Sequence, residues 1–160
     1  MANILLIDDD PDVTDYLSLR LAAGVGVIVT NTPLDALELA RRELPDIILC
    51  DVSMPDLDGY ELCRQLKRDP LVQDIPVIFL TAKRTDMADE RLGLDAGAVD
   101  YLNKTLDSSV LEARLRLHLA LRDAQRELRD QNARLEAKVA ERTAELEASR
   151  EALRQAMHNL

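Results

Sequence analysis

Tryptophan is absent from this 160-residue chain, and its aromatic side chains amount to three tyrosines and one phenylalanine. Nucleic-acid binding surfaces use aromatic rings for base stacking and basic residues for phosphate contacts. The chain instead carries a formal net charge of −10, all of it within residues 1–120, because acidic and basic side chains balance in 121–160. We therefore expect no direct nucleic-acid partner.

Cysteine is nearly absent too, and long hydrophobic runs are missing. The pair Cys50 and Cys63 is more consistent with reduced core residues than with a disulfide or a zinc site. No apolar run approaches the ~18 residues that a membrane span needs. The first apolar stretch has no basic region ahead of it, so it is a poor signal peptide. We expect a cytoplasmic protein without a membrane partner.

What is present is a series of short apolar runs separated by segments with helical spacing, such as Leu17 and Leu21 or Leu34 and Leu37. Near-continuous Ile, Val and Leu are typical of strands buried on both faces of a parallel sheet. The alternation predicts a doubly wound α/β domain of five strands and five helices over about residues 1–120. The runs are NILLI (3–7), VGVIV (25–29), DIILC (46–50), IPVIFL (75–80) and AVDYL (98–102).

Several helix starts are marked by a capping residue. Asp10 precedes Pro11, which is an N-cap followed by proline at the first helical position. Thr32 followed by proline repeats the pattern, and Asp58 to Glu61 resembles a capping box. We therefore assign Asp10 to helix capping.

Polar residues follow the predicted strands where ligands bind in such sheets, outside the carboxyl ends. These residues are Asp8 and Asp9, Asp51, Thr81 and Lys104. A carboxylate cluster needs protonation or a cation, and hard oxygens favour Mg2+. A carboxylate can also attack phosphorus to form an acyl phosphate. The pattern predicts a Mg2+-dependent phosphoryl site.

The last part of the chain has a different character, because neither glycine nor proline occurs after Gly97. The last helix of the α/β domain is expected to begin near Asp107. Leucines at 121, 128 and 135 are spaced by seven, and a second ladder starts at Val139 and includes 146, 153 and 160. With these leucines at d, Asn132 lies at a, which favours a parallel two-stranded coiled coil. The offset between the ladders is interpreted as a stutter, and the alternative is a lone solvated helix.

Together these motifs resemble the receiver domain of two-component response regulators, which is CheY-like in fold. The matching stretches are LLIDDDP (5–11), DIILCDVSMPDLDG (46–59), VIFLTA (77–82) and AGAVDYLNK (96–104). The resemblance implies a flavodoxin-like sheet of strand order 2-1-3-4-5. It also implies a receiver domain over 1–121, followed by a coiled-coil signalling helix over 122–160 that is truncated before an effector domain.

The resemblance further implies roles for the strand-end residues. Asp51 matches the phosphoacceptor. Asp9 matches the direct Mg2+ ligand, Asp8 holds the metal through water, and the backbone carbonyl of Ser53 is a further ligand. Thr81 and Lys104 match the pair that contacts the phosphoryl group.

Three more residues match positions that control the phosphorylated state. Tyr101 matches the aromatic that turns inward on activation. Ser53 and Lys83 lie where side chains tune the lifetime of the phosphoryl group. One position departs from the family pattern: Thr105 stands where proline usually follows the lysine. A cis bond before a non-proline residue costs about 2.5–4 kcal/mol, so we expect Lys104–Thr105 to be trans.

The sequence thus predicts a response regulator that accepts a phosphoryl group on Asp51 from a sensor histidine kinase or a phosphotransfer protein. It would form a homodimer through its C-terminal helix and relay its state to a downstream effector. It would not be a metabolic enzyme.

One alternative is a pseudo-receiver scaffold that takes no phosphate. Another is an aspartate-nucleophile phosphatase, which typically has a second Asp two residues after the nucleophile, where this sequence has Ser53. Flavin binding is not supported, because the sequence has no Gly-rich or Ser/Thr-rich first loop that could cradle a phosphate.

Overall fold

The computed structural model describes residues 2–21, 24–82, 87–104 and 108–160. Contacts between residues divide the chain into two compact units, Met1–Ala120 and Leu121–Leu160. Within the described residues, none of the helices has the length and apolar content needed to span a bilayer.

The first unit is built on one five-stranded sheet in which every neighbouring pair is parallel. The strand order is β2-β1-β3-β4-β5, so the predicted flavodoxin-like topology is confirmed. The strands are β1 (Ala2–Ile7), β2 (Val25–Thr30), β3 (Ile47–Asp51), β4 (Val77–Thr81) and β5 (Asp100–Asn103).

Helices connect consecutive strands, as parallel pairing requires. A short 3-10 helix (Pro33–Asp35) leads directly into α2. The start expected near Asp107 lies outside the described residues, and the last helix is described from Ser108. The α-helices are α1 (Pro11–Leu21), α2 (Ala36–Glu43), α3 (Gly59–Arg68), α4 (Met87–Asp95) and α5 (Ser108–His158).

The sheet is buried on both faces, which explains why its strands lack polar alternation. In β1, Leu5 and Ile7 pack into one hydrophobic cluster, while Ile4 and Leu6 pack into the other on the opposite face. All four side chains are at most 1% exposed. Because successive side chains of a strand point to opposite faces, a strand covered by helices on both sides must be apolar at every position.

Helical spacing in the sequence correctly predicts where helices occur, but it does not always predict which of their residues are buried. Leu17 and Leu21 are buried in α1, as their spacing predicts. Leu34, by contrast, is 63% exposed in the 3-10 helix, whereas Ala36 and Ala40 of α2 are fully buried. The alanine side chains are small enough to pack closely beneath α2. Because alanine is small and less hydrophobic than leucine, it marks a buried helix face less clearly in the sequence.

Two of the three predicted caps are confirmed. Asp10 Oδ1 accepts a hydrogen bond from the Asp12 amide at 2.9 Å, and Asp58 Oδ1 accepts one from the Glu61 amide at 2.8 Å. The Thr32 prediction is confirmed only in part, because Thr32 is the N-cap position of the 3-10 helix but its side chain makes no capping hydrogen bond. The Thr30 hydroxyl instead donates to the Thr32 carbonyl at 3.2 Å.

The second unit consists of helix throughout residues 121–158, with side chains that are nearly all exposed. Leu135 and Val139 are four residues apart, which is a d-to-a step. The two seven-residue ladders therefore belong to one continuous heptad frame, and the predicted stutter is wrong. In this frame the apolar stripe comprises Leu121, Leu128, Leu135, Val139, Leu146, Leu153 and Leu160.

Candidate functional site

Strand register brings the predicted site residues to one edge of the sheet. Ile7 pairs with Cys50 across β1 and β3, so Asp8 and Asp51, which follow them, become neighbours. On the next strands, Thr81 pairs with Asn103. The amide of the following residue, Lys104, then donates to the Thr81 carbonyl at 2.7 Å. Residues from four strands thus converge although they are up to about a hundred positions apart in sequence.

Three carboxylates form the centre of the site. Asp8, Asp9 and Asp51 each place one oxygen so that all three oxygens lie within 4.8 Å of one another. Asp8 and Asp51 are only 2% and 7% exposed. Asp8 Oδ1 accepts a hydrogen bond from the Asp10 amide at 3.0 Å, which fixes this carboxylate at the start of α1.

Lys104 supplies a positive charge next to these carboxylates. Its Nζ lies 2.5 Å from Asp8 Oδ2 and 3.2 Å from Asp51 Oδ1. Burial alone would lower the pKa of Lys104, but its hydrogen bond to Asp8 and the charge of Asp51 outweigh burial and raise it. The ammonium form is therefore the stable one at this site.

The Asp51 carboxylate is destabilised by its surroundings. Burial raises its pKa from 3.8 to about 6, and the charge of Asp8 adds to this effect. Lys104 and a hydrogen bond with the Ser53 backbone act in the opposite direction but do not compensate fully. The single positive charge of Lys104 therefore does not fully offset the effects of burial and of Asp8 on the Asp51 carboxylate.

This donor set fits Mg2+, which takes carboxylate oxygens and keeps part of its water shell. Asp8, Asp9 and Asp51 would hold the ion. The predicted contribution of the Ser53 carbonyl, the individual metal-binding roles and the phosphoacceptor role of Asp51 stay predictions.

A glycine at the start of α3 allows this helix to pack against the end of β3. The Gly59 amide donates to the Val52 carbonyl at 2.8 Å. A Cβ at Gly59 would lie only 2.3 Å from the Asp51 carbonyl oxygen. Any larger residue would therefore push α3 away from the end of β3.

Thr81 and Tyr101 are brought together beside the carboxylates. Thr81 is 8% exposed, and its side chain interacts with that of Tyr101. The Tyr101 hydroxyl also lies 3.0 Å from the hydroxyl of Tyr60. Sequence reasoning missed Tyr60, whose one available signal was the scarcity of aromatic residues in the chain.

Two predictions fall outside the described residues. They are the role of Lys83 and the trans geometry of the Lys104–Thr105 bond, which involves Thr105.

Comparisons with known proteins agree with this architecture. The family model for the response regulator receiver domain matches residues 4–116. The chain is 38% identical over 133 residues to a "Probable cyclic di-GMP phosphodiesterase" of Vibrio cholerae, covering 83% of this chain and 30% of the relative. It is 40% identical over 136 residues to response regulator PleD of Caulobacter vibrioides, covering 82% and 29%. The chain thus spans under a third of both curated relatives.

A solved structure gives the same result for the fold. The BeF3-activated N-terminal receiver domain of Klebsiella pneumoniae RstA superposes with a TM-score of 0.66 at 38% identity, covering 73% of this chain and 97% of that one. With the family match over most of the first unit and carboxylates, hydroxyl and amine converging at its strand ends, the chain belongs to the response regulator receiver domain family.

Proposed function

We propose that this protein is a phosphorylation switch in which Asp51 accepts a phosphoryl group from the phosphohistidine of a sensor histidine kinase or a phosphotransfer protein. The observation that carries the proposal is the convergence of Asp8, Asp9 and Asp51 within 4.8 Å, with Lys104 3.2 Å from Asp51. A structural salt bridge alone would not need three carboxylates around one amine. We place this reaction in the cytoplasm, where the donor proteins present their phosphohistidine.

The proposed transfer forms one bond and breaks one. An Asp51 carboxylate oxygen forms a bond to phosphorus while the bond between phosphorus and the donor imidazole nitrogen breaks, and the imidazole leaves with that electron pair. Lys104, already in contact with Asp51, can pair with a phosphoryl oxygen, and the Thr81 hydroxyl can donate to another. Bound Mg2+ supplies positive charge that offsets repulsion between the carboxylates and the phosphoryl oxygens.

The test is intact-mass analysis after incubation with a small-molecule phosphodonor and Mg2+. We expect one phosphoryl adduct on the wild type, none on Asp51→Asn, and none when a chelator removes the metal. Asp56→Asn is the matched control, because Asp56 is an exposed aspartate of the same loop. Absence of any wild-type adduct would favour a pseudo-receiver scaffold, and steady phosphate release from many substrates would favour a phosphatase.

We further propose that the second unit forms a parallel homodimeric coiled coil. Its stripe residues Leu135, Val139 and Leu146 are 59%, 64% and 65% exposed within the single chain. An isolated helix with such a stripe is marginally stable in water, whereas a second copy would bury the stripe. In the parallel arrangement Glu145 at g faces Arg150 at e of the other copy, which supports this orientation.

Leu146→Asp tests the dimer directly, because it places a charge at a core position. Ala144→Asp is its control, since position 144, two residues earlier, is an outward-facing f position. Sedimentation equilibrium should show dimers for the wild type and Ala144→Asp and monomers for Leu146→Asp. A monomeric wild type would leave the lone-helix alternative.

Relay to an effector is the last part of the proposal. Both longer relatives contain sequence beyond the region they share with this chain, and we propose a downstream effector here as well. Besides Asn132, polar residues occupy further core positions of the heptad frame, namely Gln125, Arg142 and Ser149. Such positions weaken the preference for one packing, so phosphorylation could shift the register. Disulfide cross-linking along the stripe should therefore differ with and without phosphodonor, and identical patterns would contradict the relay.

A further inference from the structure

Three of the four aromatic side chains of the protein form one cluster between α3, β4 and β5. Phe79 lies at its centre and is fully buried. Tyr60 contacts Phe79 edge-on with ring centroids 5.2 Å apart, and Tyr101 does so from another side at 5.9 Å. Such edge-to-face arrangements are favourable for aromatic pairs, so the two tyrosines are held on a common support.

The two tyrosine hydroxyls are also bonded to each other. The distance between the hydroxyl oxygens of Tyr60 and Tyr101 is 3.0 Å. The side chain of Thr81 interacts with Tyr101 as well. A phenolic hydroxyl can donate one hydrogen bond and accept others. Tyr101 therefore lies between Thr81, at the strand-end site, and Tyr60, in the first turn of α3.

A glycine in α4 provides the space for the Tyr101 ring. A Cβ at Gly93 would lie 2.6 Å from Tyr101 Cδ2 and 3.1 Å from Phe79 Cδ2. These distances are well inside van der Waals contact, so a side chain at Gly93 is incompatible with the observed position of the ring. The inward position of Tyr101 thus depends on one residue that bonds it and another that makes room for it.

We propose that Tyr60 is a positioning residue that holds Tyr101 in its inward orientation through the hydroxyl–hydroxyl bond, before Asp51 carries a phosphoryl group. Turning outward would cost Tyr101 its hydrogen bond to Tyr60 and its contact with Phe79. The Tyr60 hydroxyl therefore sets the ratio of inward to outward Tyr101 in the resting protein. This inference rests on the proposed phosphorylation switch only for its consequence for signalling.

The substitution Tyr60→Phe tests this role, because it keeps the ring on Phe79 and removes only the hydroxyl. One neutral hydrogen bond corresponds to a change of about two- to tenfold in a conformational ratio. We expect the outward fraction of Tyr101 to increase by this factor. Tyr16→Phe is the matched control, because Tyr16 is 53% exposed and its ring lies against Arg20 rather than in the cluster.

Two readouts follow Tyr101 without any phosphodonor. Incorporation of 3-fluorotyrosine gives three fluorine resonances, one for each tyrosine, and Tyr→Phe variants assign them. The rate of Tyr101 nitration, measured by peptide mass spectrometry, reports its access to solvent. In Tyr60→Phe the Tyr101 resonance should move and its nitration should become about two- to tenfold faster. An unchanged resonance and rate in a folded variant would overturn the proposal.

Gly93→Ala provides a second variant that acts from the opposite side. It should drive Tyr101 outward even with the Tyr60 hydroxyl present, and therefore mark the outward position of the resonance. Circular dichroism confirms that the variant is folded, and alanine is the better helix former. If Tyr60→Phe shifts the Tyr101 resonance in the direction opposite to the shift in Gly93→Ala, the Tyr60 hydroxyl does not hold the inward orientation.

Equilibrium binding of beryllofluoride, a phosphoryl mimic, separates this inference from the proposed function. Because coupling is reciprocal, affinity for the mimic should fall in Tyr60→Phe, at most by the factor measured for the Tyr101 ratio. If the wild type binds no beryllofluoride, the phosphorylation proposal fails, while the nitration and fluorine results still decide the role of Tyr60. If the wild type binds it and Tyr60→Phe binds equally well despite an outward Tyr101, Tyr60 has no part in switching.

Discussion

The two units of this protein contain the same kinds of side chain with opposite environments. Leu49 in β3 is 0% exposed, whereas Leu146 in the second unit is 65% exposed. Leu49 is enclosed by strands and helices distant in sequence, while Leu146 has within its unit only residues of its own helix. Apolar patterning alone therefore selects the type of secondary structure, whereas burial of the apolar side chains requires packing partners from elsewhere in the chain or from another chain.

Charged residues differ between the units in the same way. Asp51 and Asp8 are buried beside Lys104 at distances set by the sheet. In the second unit, Glu151 and Arg154 form an exposed pair at 2.8 Å within one helical turn. Exposed pairs at this spacing contribute only a few tenths of a kcal/mol. The buried charges of the first unit therefore interact more strongly than this exposed pair of the second unit.

Truncation of the buried leucine should have the largest effect on stability. Leu49→Ala should lower the free energy of unfolding of the first unit by about 2–5 kcal/mol, because it leaves a cavity in the core. Leu146→Ala should change it by less than about 0.5 kcal/mol. Urea denaturation followed by tyrosine fluorescence measures this, since all three tyrosines lie in the first unit. Equal losses in the two variants would contradict the contrast.

An intermediate effect is expected from the buried carboxylate of Asp51. Folding raises the Asp51 pKa from 3.8 to about 6, so the folded state binds a proton more tightly than the unfolded state. Stability from this group is present below about pH 4 and is lost as pH rises through 6. Without Mg2+, Asp51→Asn should therefore be more stable than the wild type by roughly 1–3 kcal/mol at pH 7.

The pH dependence of that difference provides the check. The advantage of Asp51→Asn in thermal or urea unfolding should shrink towards pH 4, where wild-type Asp51 is protonated in both states. Saturating Mg2+ should also reduce it, since the ion compensates the carboxylates. Asp56→Asn serves as the control in both titrations. An advantage that grows as pH falls would refute the stated cause.

A smaller effect is expected at the start of α1. Asp10→Ala removes the hydrogen bond to the Asp12 amide and should cost about 1 kcal/mol of stability. It should leave Mg2+ affinity nearly unchanged, whereas Asp9→Ala should weaken it strongly. Asp15→Ala, which removes an exposed carboxylate of the same helix, controls for the loss of charge. Equal Mg2+ affinities for Asp9→Ala and Asp10→Ala would contradict the division of labour among these aspartates.

Much of the fold could be predicted because strands buried on both faces leave near-continuous apolar runs. The site residues could be predicted because the carboxyl ends of parallel strands share one edge, so Asp8, Asp51, Thr81 and Lys104 had to converge. Tyr60 could not be predicted in this way, since its partner is 41 residues away and the pair depends on how α3 packs. The exposed Leu34 shows the same limit, because a helical period does not identify which face the sheet covers.

By itself the sequence determined the order and type of the elements, the caps at Asp10 and Asp58 and the continuous heptad frame of the second unit, since each depends on neighbours a few positions apart. The tertiary structure decided the raised pKa of Asp51, the ion pairs of Lys104 and the hydroxyl bond between Tyr60 and Tyr101. These depend on distances and burial between residues far apart in the chain, which exist only once the sheet and its helices are packed.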